Sequence, residues 1–299
     1  MANPHFGNLG DVWKHVALAE ALASERPLNY WETHAGSASY LLSHSPARDY
    51  GAYYLLEGGR RSSILSQSPY YQELKRFSQD DEHPPSYPGS ALLAMRLLRD
   101  GADYVLCDID TASVSSLSEA AAALGLSHRV RCARRDGLAV IRETSHEYKG
   151  DPADVLVHID PFDPVVETEP GLSAVSLASE LIEKGFKLIY WYGYDFPRER
   201  TWPWQALTGR GESRWCGDLI VRSNLEGGSL APMSDIGPLI GCGVLGANLQ
   251  VATTAALRSL GHELVSLYET SVLPHRGAPG ALDFREIRAE QVGGHAFSA

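Results

Sequence analysis

Val155-Leu156-Val157-His158-Ile159-Asp160-Pro161-Phe162-Asp163 is a short apolar run that breaks on an acidic residue and a proline. Its first five residues read as a buried strand, of the kind found inside a parallel sheet covered on both faces. Outward in both directions the chain alternates between strand and helix patterns. Upstream are helix Asp11 to Ser24 with Asp11 as N-cap, strand Leu28 to Thr33, helix Ser90 to Arg99 and strand Asp103 to Cys107. Helix Thr111 to Leu124, strand Arg129 to Ala133 and helix Gly137 to Glu143 follow. Downstream come helix Leu172 to Lys184 and strand Leu188 to Tyr192. Leu219 to Arg222 and Val244 to Leu249 then read as an antiparallel hairpin at the sheet edge, joined by the Gly- and Pro-rich stretch 227–238. The rhythm predicts an α/β fold, a Rossmann-like sheet with helices on both faces.

Two segments break the pattern. Residues 42–86 hold the Tyr-rich runs Tyr50-Gly51-Ala52-Tyr53-Tyr54 and Tyr70-Tyr71 and then a polar run from Gln79 to Pro85, which predicts an inserted, partly helical subdomain ending in a loop. From Pro274 onward the chain is Gly-rich and reads as an irregular tail. The expected organisation is a catalytic unit of residues 1–41 and 87–273, an insertion over 42–86 and a tail over 274–299.

The chain has 299 residues, 44% of them hydrophobic, enough for a large core. No stretch approaches the roughly 20 apolar residues that span a bilayer, and the N-terminus has no signal-peptide pattern. Cys107, Cys132, Cys216 and Cys242 stand singly, which argues against a zinc site or a disulfide framework. A cytoplasmic location, no membrane and no metal are expected. The net charge of −11 disfavours a large RNA partner and suits an enzyme acting on small molecules.

In a doubly wound sheet, ligands bind beyond the carboxyl ends of the strands. Those ends carry Glu32 and His34, then Asp108 and Asp110, then Asp136, then Asp160. One carboxylate can accept both hydroxyls of a ribose, and another polar residue can meet the adenine edge. Asp108 is the better ribose ligand, Asp110 reads as a helix cap, and His34 reads as a structural hydrogen-bonder or a ligand. The turn Thr33-His34-Ala35-Gly36-Ser37-Ala38 lacks the G-x-G-x-x-G of pyrophosphate binders. This disfavours a nicotinamide enzyme and fits a phosphate-free nucleoside such as S-adenosylmethionine. Asp160-Pro161 resembles the start of the Asp/Asn-Pro-Pro-aromatic tetrad of methyltransferases that act on exocyclic amines. There a carboxylate and a proline carbonyl accept the two N–H bonds and aim the nitrogen lone pair at the methyl group. The alternative is that Asp-Pro only ends the strand.

Six segments in order resemble the bacterial 23S rRNA adenine-N6 methyltransferases. They are Gly7-Asn8-Leu9-Gly10-Asp11-Val12-Trp13-Lys14-His15, Thr33-His34-Ala35-Gly36, Tyr87-Pro88-Gly89-Ser90, Asp136-Gly137, Ile159-Asp160-Pro161 and Trp191-Tyr192. The resemblance implies a class I methyltransferase with a helical insertion and S-adenosylmethionine as cofactor. It implies that His15, His34, Gly36, Ser90, Asp108, Asp136, Gly137 and Asp160 bind that cofactor, and that Asp160, Pro161 and Lys14 line the catalytic centre. Phe162, Asp163 and Tyr192 are then the expected acceptor-binding residues.

The departures sit at the acceptor. The family has Asp-Pro-Pro-Tyr, whereas this chain has Asp160-Pro161-Phe162-Asp163, so the aromatic that stacks on a flipped adenine is absent from its usual place. Ala38 replaces a family glycine. The insertion is acidic, with Asp49, Glu57, Glu73, Asp80, Asp81 and Glu82 against Arg48, Arg60, Arg61, Lys75 and Arg76. The expectation is a methyltransferase acting on a small amine or nucleobase-like molecule. Adenine methylation in rRNA is the alternative, and a non-catalytic S-adenosylmethionine-binding protein comes third.

Overall fold

The computed structural model describes residues 6–78, 85–163, 165–194, 203, 207, 214–221, 241–270 and 282–286. Its strands are β1 (Asn29–Glu32), β2 (Ser39–Leu41), β3 (Ser86–Pro88), β4 (Asp103–Cys107), β5 (Val130–Ala133), β6 (Val155–Ile159), β7 (Lys187–Tyr194), β8 (Arg214–Val221), β9 (Gly241–Ala247) and β10 (Leu282–Glu286). Its helices are α1 (Leu9–Glu25), α2 (Pro46–Tyr50), α3 (Ala52–Gly58), α4 (Ser63–Gln67), α5 (Pro69–Ser78), α6 (Ser90–Leu98), α7 (Thr111–Ala123), α8 (Gly137–Glu147), α9 (Ala174–Glu183) and α10 (Val251–Thr270).

The main sheet runs in the order β10-β8-β9-β7-β6-β1-β4-β5. Strands β5, β4, β1, β6 and β7 are parallel, and β9, β8 and β10 pair antiparallel. The chain leaves β1 toward β4 and β5, then returns to lay β6 on the other side of β1. That reversal is the switch point at which a doubly wound sheet opens a ligand crevice. One face of the sheet packs a core shared with α1, α6, α7 and α10. The other face packs a core shared with α8 and α9. Every residue of β6 is buried, as a strand covered on both faces must be. The fold is the Rossmann-like α/β sheet expected from the alternation.

Helix α1 anchors the first layer. Trp13 is fully buried, donates its indole N–H to the Gly217 carbonyl at 3.1 Å and meets Phe284 edge-on at 5.5 Å. Its N-cap is Asn8, whose side chain accepts the Asp11 amide at 2.8 Å, so Asp11 is not the cap that its position before the apolar run suggested. Gly7 (φ 75°) makes the left-handed turn that lets its amide reach Asp11 Oδ2 at 2.8 Å.

Three further findings differ from the sequence reading. Leu282–Glu286, inside the stretch 274–299 expected to be irregular, is a strand paired to β8; residues 274–281 and 287–299 lie outside the described residues. The antiparallel pair β8–β9 is therefore not at the sheet edge, which β10 takes beside β8, and the 227–238 connection lies outside the described residues. The long helix α10 follows a stretch with no strong start signal. A residue far away caps it: Glu25 Oε1, at the end of α1, accepts the Gln250 amide at 2.7 Å and the Thr253 hydroxyl.

Between β2 and β3, which pair antiparallel, lie α2, α3, α4 and α5. Leu55, Leu65, Tyr70 and Leu74 from these helices belong to the same core as α1. Residues 79–84, part of the expected loop, lie outside the described residues.

Candidate active site

Helical spacing sets three polar residues of α1 on one line. Asp11, Lys14 and His15 stand at i, i+3 and i+4, and all are buried against the sheet. On β6, side chains alternate. Val155, Val157 and Ile159 enter one core, while Leu156 enters the other, and His158 and Asp160 follow Leu156 onto the α1 side. Lys14 Nζ consequently lies 2.6 Å from Asp160 Oδ2 and 2.7 Å from Asp11 Oδ1. Burial pulls the ammonium pKa down, but Asp11 and Asp160 outweigh it and leave Lys14 above its ordinary value. Burial would likewise raise the Asp11 carboxyl. His15, a cation in the acid range where that carboxyl titrates, and Lys14, with the Gly7 amide, hold it well below the usual carboxylate range. Lys14 also stands 5.8 Å from the centre of the Trp191 ring.

His15 is pushed down to about 4 by burial, against the pull of Asp11. It is an uncharged imidazole at neutral pH. His34, at the end of β1, is also lowered by burial, and its Nδ1 lies 2.8 Å from Thr33 Oγ1.

The strand ends are tied to one another through backbone amides. Gly36 (φ 58°) turns the chain so that its amide donates to Asp108 Oδ2 at 2.8 Å, while Asp108 Oδ1 accepts the Asp110 amide at 2.8 Å. Asp110 caps α7 through the Ser113 amide at 2.9 Å. Asp136 caps α8, accepting from Leu138 at 2.8 Å and Ala139 at 3.3 Å. Gly137 begins α8 directly under the end of β1, where a Cβ would lie 1.8 Å from the Thr33 carbonyl oxygen, so no other residue fits. Ser90, the first residue of α6, donates its hydroxyl to Glu32. Glu32 is fully buried and also receives Tyr30 OH at 2.9 Å and meets His158 Nδ1 at 2.8 Å.

Lys14, His15, Ser90 and Asp160 thus share the α1 side, with His34, Gly36, Asp108, Asp136 and Gly137 along the strand ends. The acceptor-side candidates are not gathered with them. Phe162 projects outward, 96% exposed, beside the buried Pro161. Asp163 Oδ1 accepts the Val165 amide at 3.0 Å and the Val166 amide at 3.3 Å, so it caps its own loop. Tyr192 lies in the opposite core, with its hydroxyl on Asp218 and Cys216. The sheet's alternation explains this, because on β7 it is Trp191 that faces α1 and Tyr192 that faces away.

Sequence reasoning passed over Asp11, Tyr30, Tyr87, His158 and Trp191. The i, i+3 spacing from Lys14 marked Asp11, and the two-residue step back from Asp160 marked His158. Tyr87 was marked only as part of the segment Tyr87-Pro88-Gly89-Ser90 in the resemblance. Among the described residues, no group of His, Cys, Asp and Glu could hold a metal ion, and no helix is long and apolar enough to cross a membrane.

The donor set fits a nucleoside cofactor without phosphates. The Gly36 amide, which a pyrophosphate would need, is taken by Asp108, and two further carboxylates end neighbouring strands. Each Asp108 oxygen accepts one backbone amide and keeps a second lone pair for a hydroxyl.

No family model matches the chain. Over 105 residues it is 34% identical to the ribosomal RNA large subunit methyltransferase J of Escherichia coli (strain K12), a match covering 32% of this chain and 36% of that protein. The matched segment therefore spans about a third of the length of that curated relative. A crystal structure of a Legionella pneumophila (strain Philadelphia 1) protein, of family-model DUF519, superposes with a TM-score of 0.69 at 19% identity, covering 94% of this chain and 97% of that one. Over the 105 residues they share, the chain is a distant homologue of ribosomal RNA large subunit methyltransferase J, and its fold is that of the Legionella pneumophila protein.

Proposed function

We propose that this chain is an S-adenosylmethionine-dependent N-methyltransferase whose acceptor is the exocyclic amine of an adenine in ribosomal RNA. The observation that carries the chemistry is Asp160 at the end of an interior strand, held 2.6 Å from the buried Lys14 ammonium beside the polar strand ends. The shared segment with a ribosomal RNA methyltransferase supports the acceptor class. The cofactor supplies an electrophilic methyl group. Asp108 would accept the ribose hydroxyls, Asp136 would stand near the adenine, and His15, His34 and Ser90 would hold the amino-acid end. Gly36 and Gly137 let the backbone come close.

The residues of the chain then act on the acceptor. A conjugated amine is a poor nucleophile because its lone pair is delocalised. Asp160 and the Pro161 carbonyl accept its two N–H bonds, favour a pyramidal nitrogen and stabilise the positive charge that grows on it. Lys14 fixes the orientation of Asp160. Removing one preorganised electrostatic partner of this kind costs on the order of a hundredfold or more in turnover.

A second reading, methylation of a small amine or nucleobase-like molecule, rests on the acceptor loop. Asp163 is engaged with its own backbone, Phe162 is turned to solvent, and the net charge of −11 gives no bulk attraction to a polyanion. Transfer of labelled methyl from S-adenosylmethionine to unmodified 23S rRNA, to adenosine and to simple amines separates the two. Label in adenine of the RNA supports the first reading. Label only in the small acceptors establishes the second, and no transfer with bound cofactor leaves a binding protein.

A further inference from the structure

The proposed cofactor site leaves two fully buried tyrosines without a task. Tyr70 lies on α5 among the inserted helices and Tyr87 on β3. Tyr70 OH donates to Tyr87 OH at 2.7 Å, and Tyr87 OH lies 2.9 Å from His15 Nδ1. Their rings flank the imidazole, with centroids 5.7 and 5.6 Å from its own.

A phenol has one proton to give. The Tyr87 oxygen already receives the proton of Tyr70, so its own is directed onward. The rival acceptor is Asp11, which also draws on the Tyr87 hydroxyl, but the close contact of Tyr87 OH, at 2.9 Å, is with His15 Nδ1. His15 Nδ1 has Tyr87 as its hydrogen-bond partner and lies 3.7 Å from Asp11 Oδ2, beyond hydrogen-bond reach. An uncharged imidazole that accepts at Nδ1 carries its hydrogen on Nε2. His15 is uncharged because its enclosure disfavours the cation. Among the described residues Nε2 makes no hydrogen bond, and unlike His158 Nε2 it is not an enclosed orphan.

We propose that Tyr70 and Tyr87 form a proton-ordered relay that holds His15 as its Nε2–H tautomer, so that His15 donates a hydrogen bond to the carboxylate of the cofactor's amino-acid end. The proposal rests on the cofactor reading above and deepens it. The inserted helices then take part in cofactor recognition: Tyr70 on α5 sets the direction of the Tyr87 proton, and Tyr87 sets the tautomer. Both are positioning residues, because neither touches the cofactor. A carboxylate is recognised only by a donor, and the other tautomer would present a lone pair to it.

Two measurements on the full chain test this. In a sample labelled with ¹⁵N-histidine, the His15 signals are identified by their loss in His15→Gln. The expected spectrum has a protonated Nε2 and an unprotonated Nδ1, and a protonated Nδ1 overturns the relay. Calorimetry then compares S-adenosylhomocysteine with its analogue lacking the α-carboxylate. Tyr87→Phe, which keeps the ring in the core, is expected to lower affinity for S-adenosylhomocysteine about tenfold, the effect of one hydrogen bond to a charged group. Affinity for the carboxylate-free analogue is expected to stay within about twofold. Equal losses for both ligands overturn the proposal, because a merely structural role weakens both alike. If the wild type binds neither ligand, the cofactor reading and the carboxylate contact both fall, and the tautomer measurement judges the relay by itself.

Discussion

The two sides of Asp160 are built in opposite ways. On the α1 side, Asp11, Lys14 and Asp160 are joined by ion pairs and His15, Tyr87 and Tyr70 by hydrogen bonds, each link enclosed by the core. On the other side, Phe162, Val165 and Val166 are exposed, and Asp163 spends its hydrogen bonds on its own loop. Buried polar groups must find partners within the fold, so they become rigid and interdependent. An exposed loop satisfies itself or uses water, so it can be rebuilt without disturbing what lies beneath it. Under the proposed function, the cofactor half of the site is the half that tolerates little change, and the acceptor half is where specificity has room to change.

Lys14→Met is the most severe test of that contrast. It keeps the stem but leaves the Asp11 and Asp160 carboxylates facing each other without their cation. The expected loss is about 3 kcal/mol of unfolding free energy, read from urea denaturation, as for a broken buried ion pair. Unchanged stability would mean that water compensates the carboxylates and that the α1 side is less enclosed than its geometry implies.

Asp160→Ala and Asp160→Asn sharpen the contrast at the boundary. Both are expected to cut turnover on the order of a hundredfold or more, because Asn keeps the shape without the charge. Full activity in Asp160→Ala would remove the amine-orienting role and leave proximity to the methyl donor as the source of rate.

Asp108→Ala probes the strand ends. Loss of charge-assisted hydrogen bonds to the ribose is expected to weaken cofactor binding by roughly 1 to 3 kcal/mol in calorimetry. Unchanged affinity would move the ribose site elsewhere.

The smallest effect is expected on the acceptor side. Asp163→Tyr should leave cofactor affinity within about twofold and alter the choice among acceptors, since the side chain is exposed and its partners are local amides. A large loss of cofactor binding would join the loop to the cofactor half and erase the distinction.

The alternation of strands and helices was legible because each element carries its own period, and the carboxylates at strand ends were legible because Asp beside a turn is a local pattern. Lys14 and Asp160 were both visible as residues, but their 2.6 Å contact joins positions 146 apart. Tyr192 was misplaced for a related reason. Trp191-Tyr192 is one short motif in sequence, yet adjacent residues of a strand face opposite sides, and only the packing of α1 decided which side is the site.

What the sequence determined by itself about this protein is the parallel part of the sheet, the helices that alternate with it, and the set of polar residues at the strand ends. These follow from short-range periodicity and turn chemistry, which each segment carries wherever it ends up. Tertiary structure alone decided that Glu25 caps α10, that β10 closes the sheet beside β8, that Asp163 serves its loop, and that Tyr70 reaches His15 through Tyr87. Each of the long-range pairings joins residues far apart in the chain, and burial rather than local preference selects the partner. Asp163 is the exception, for its partners are local and only its exposure on the folded surface left it to them.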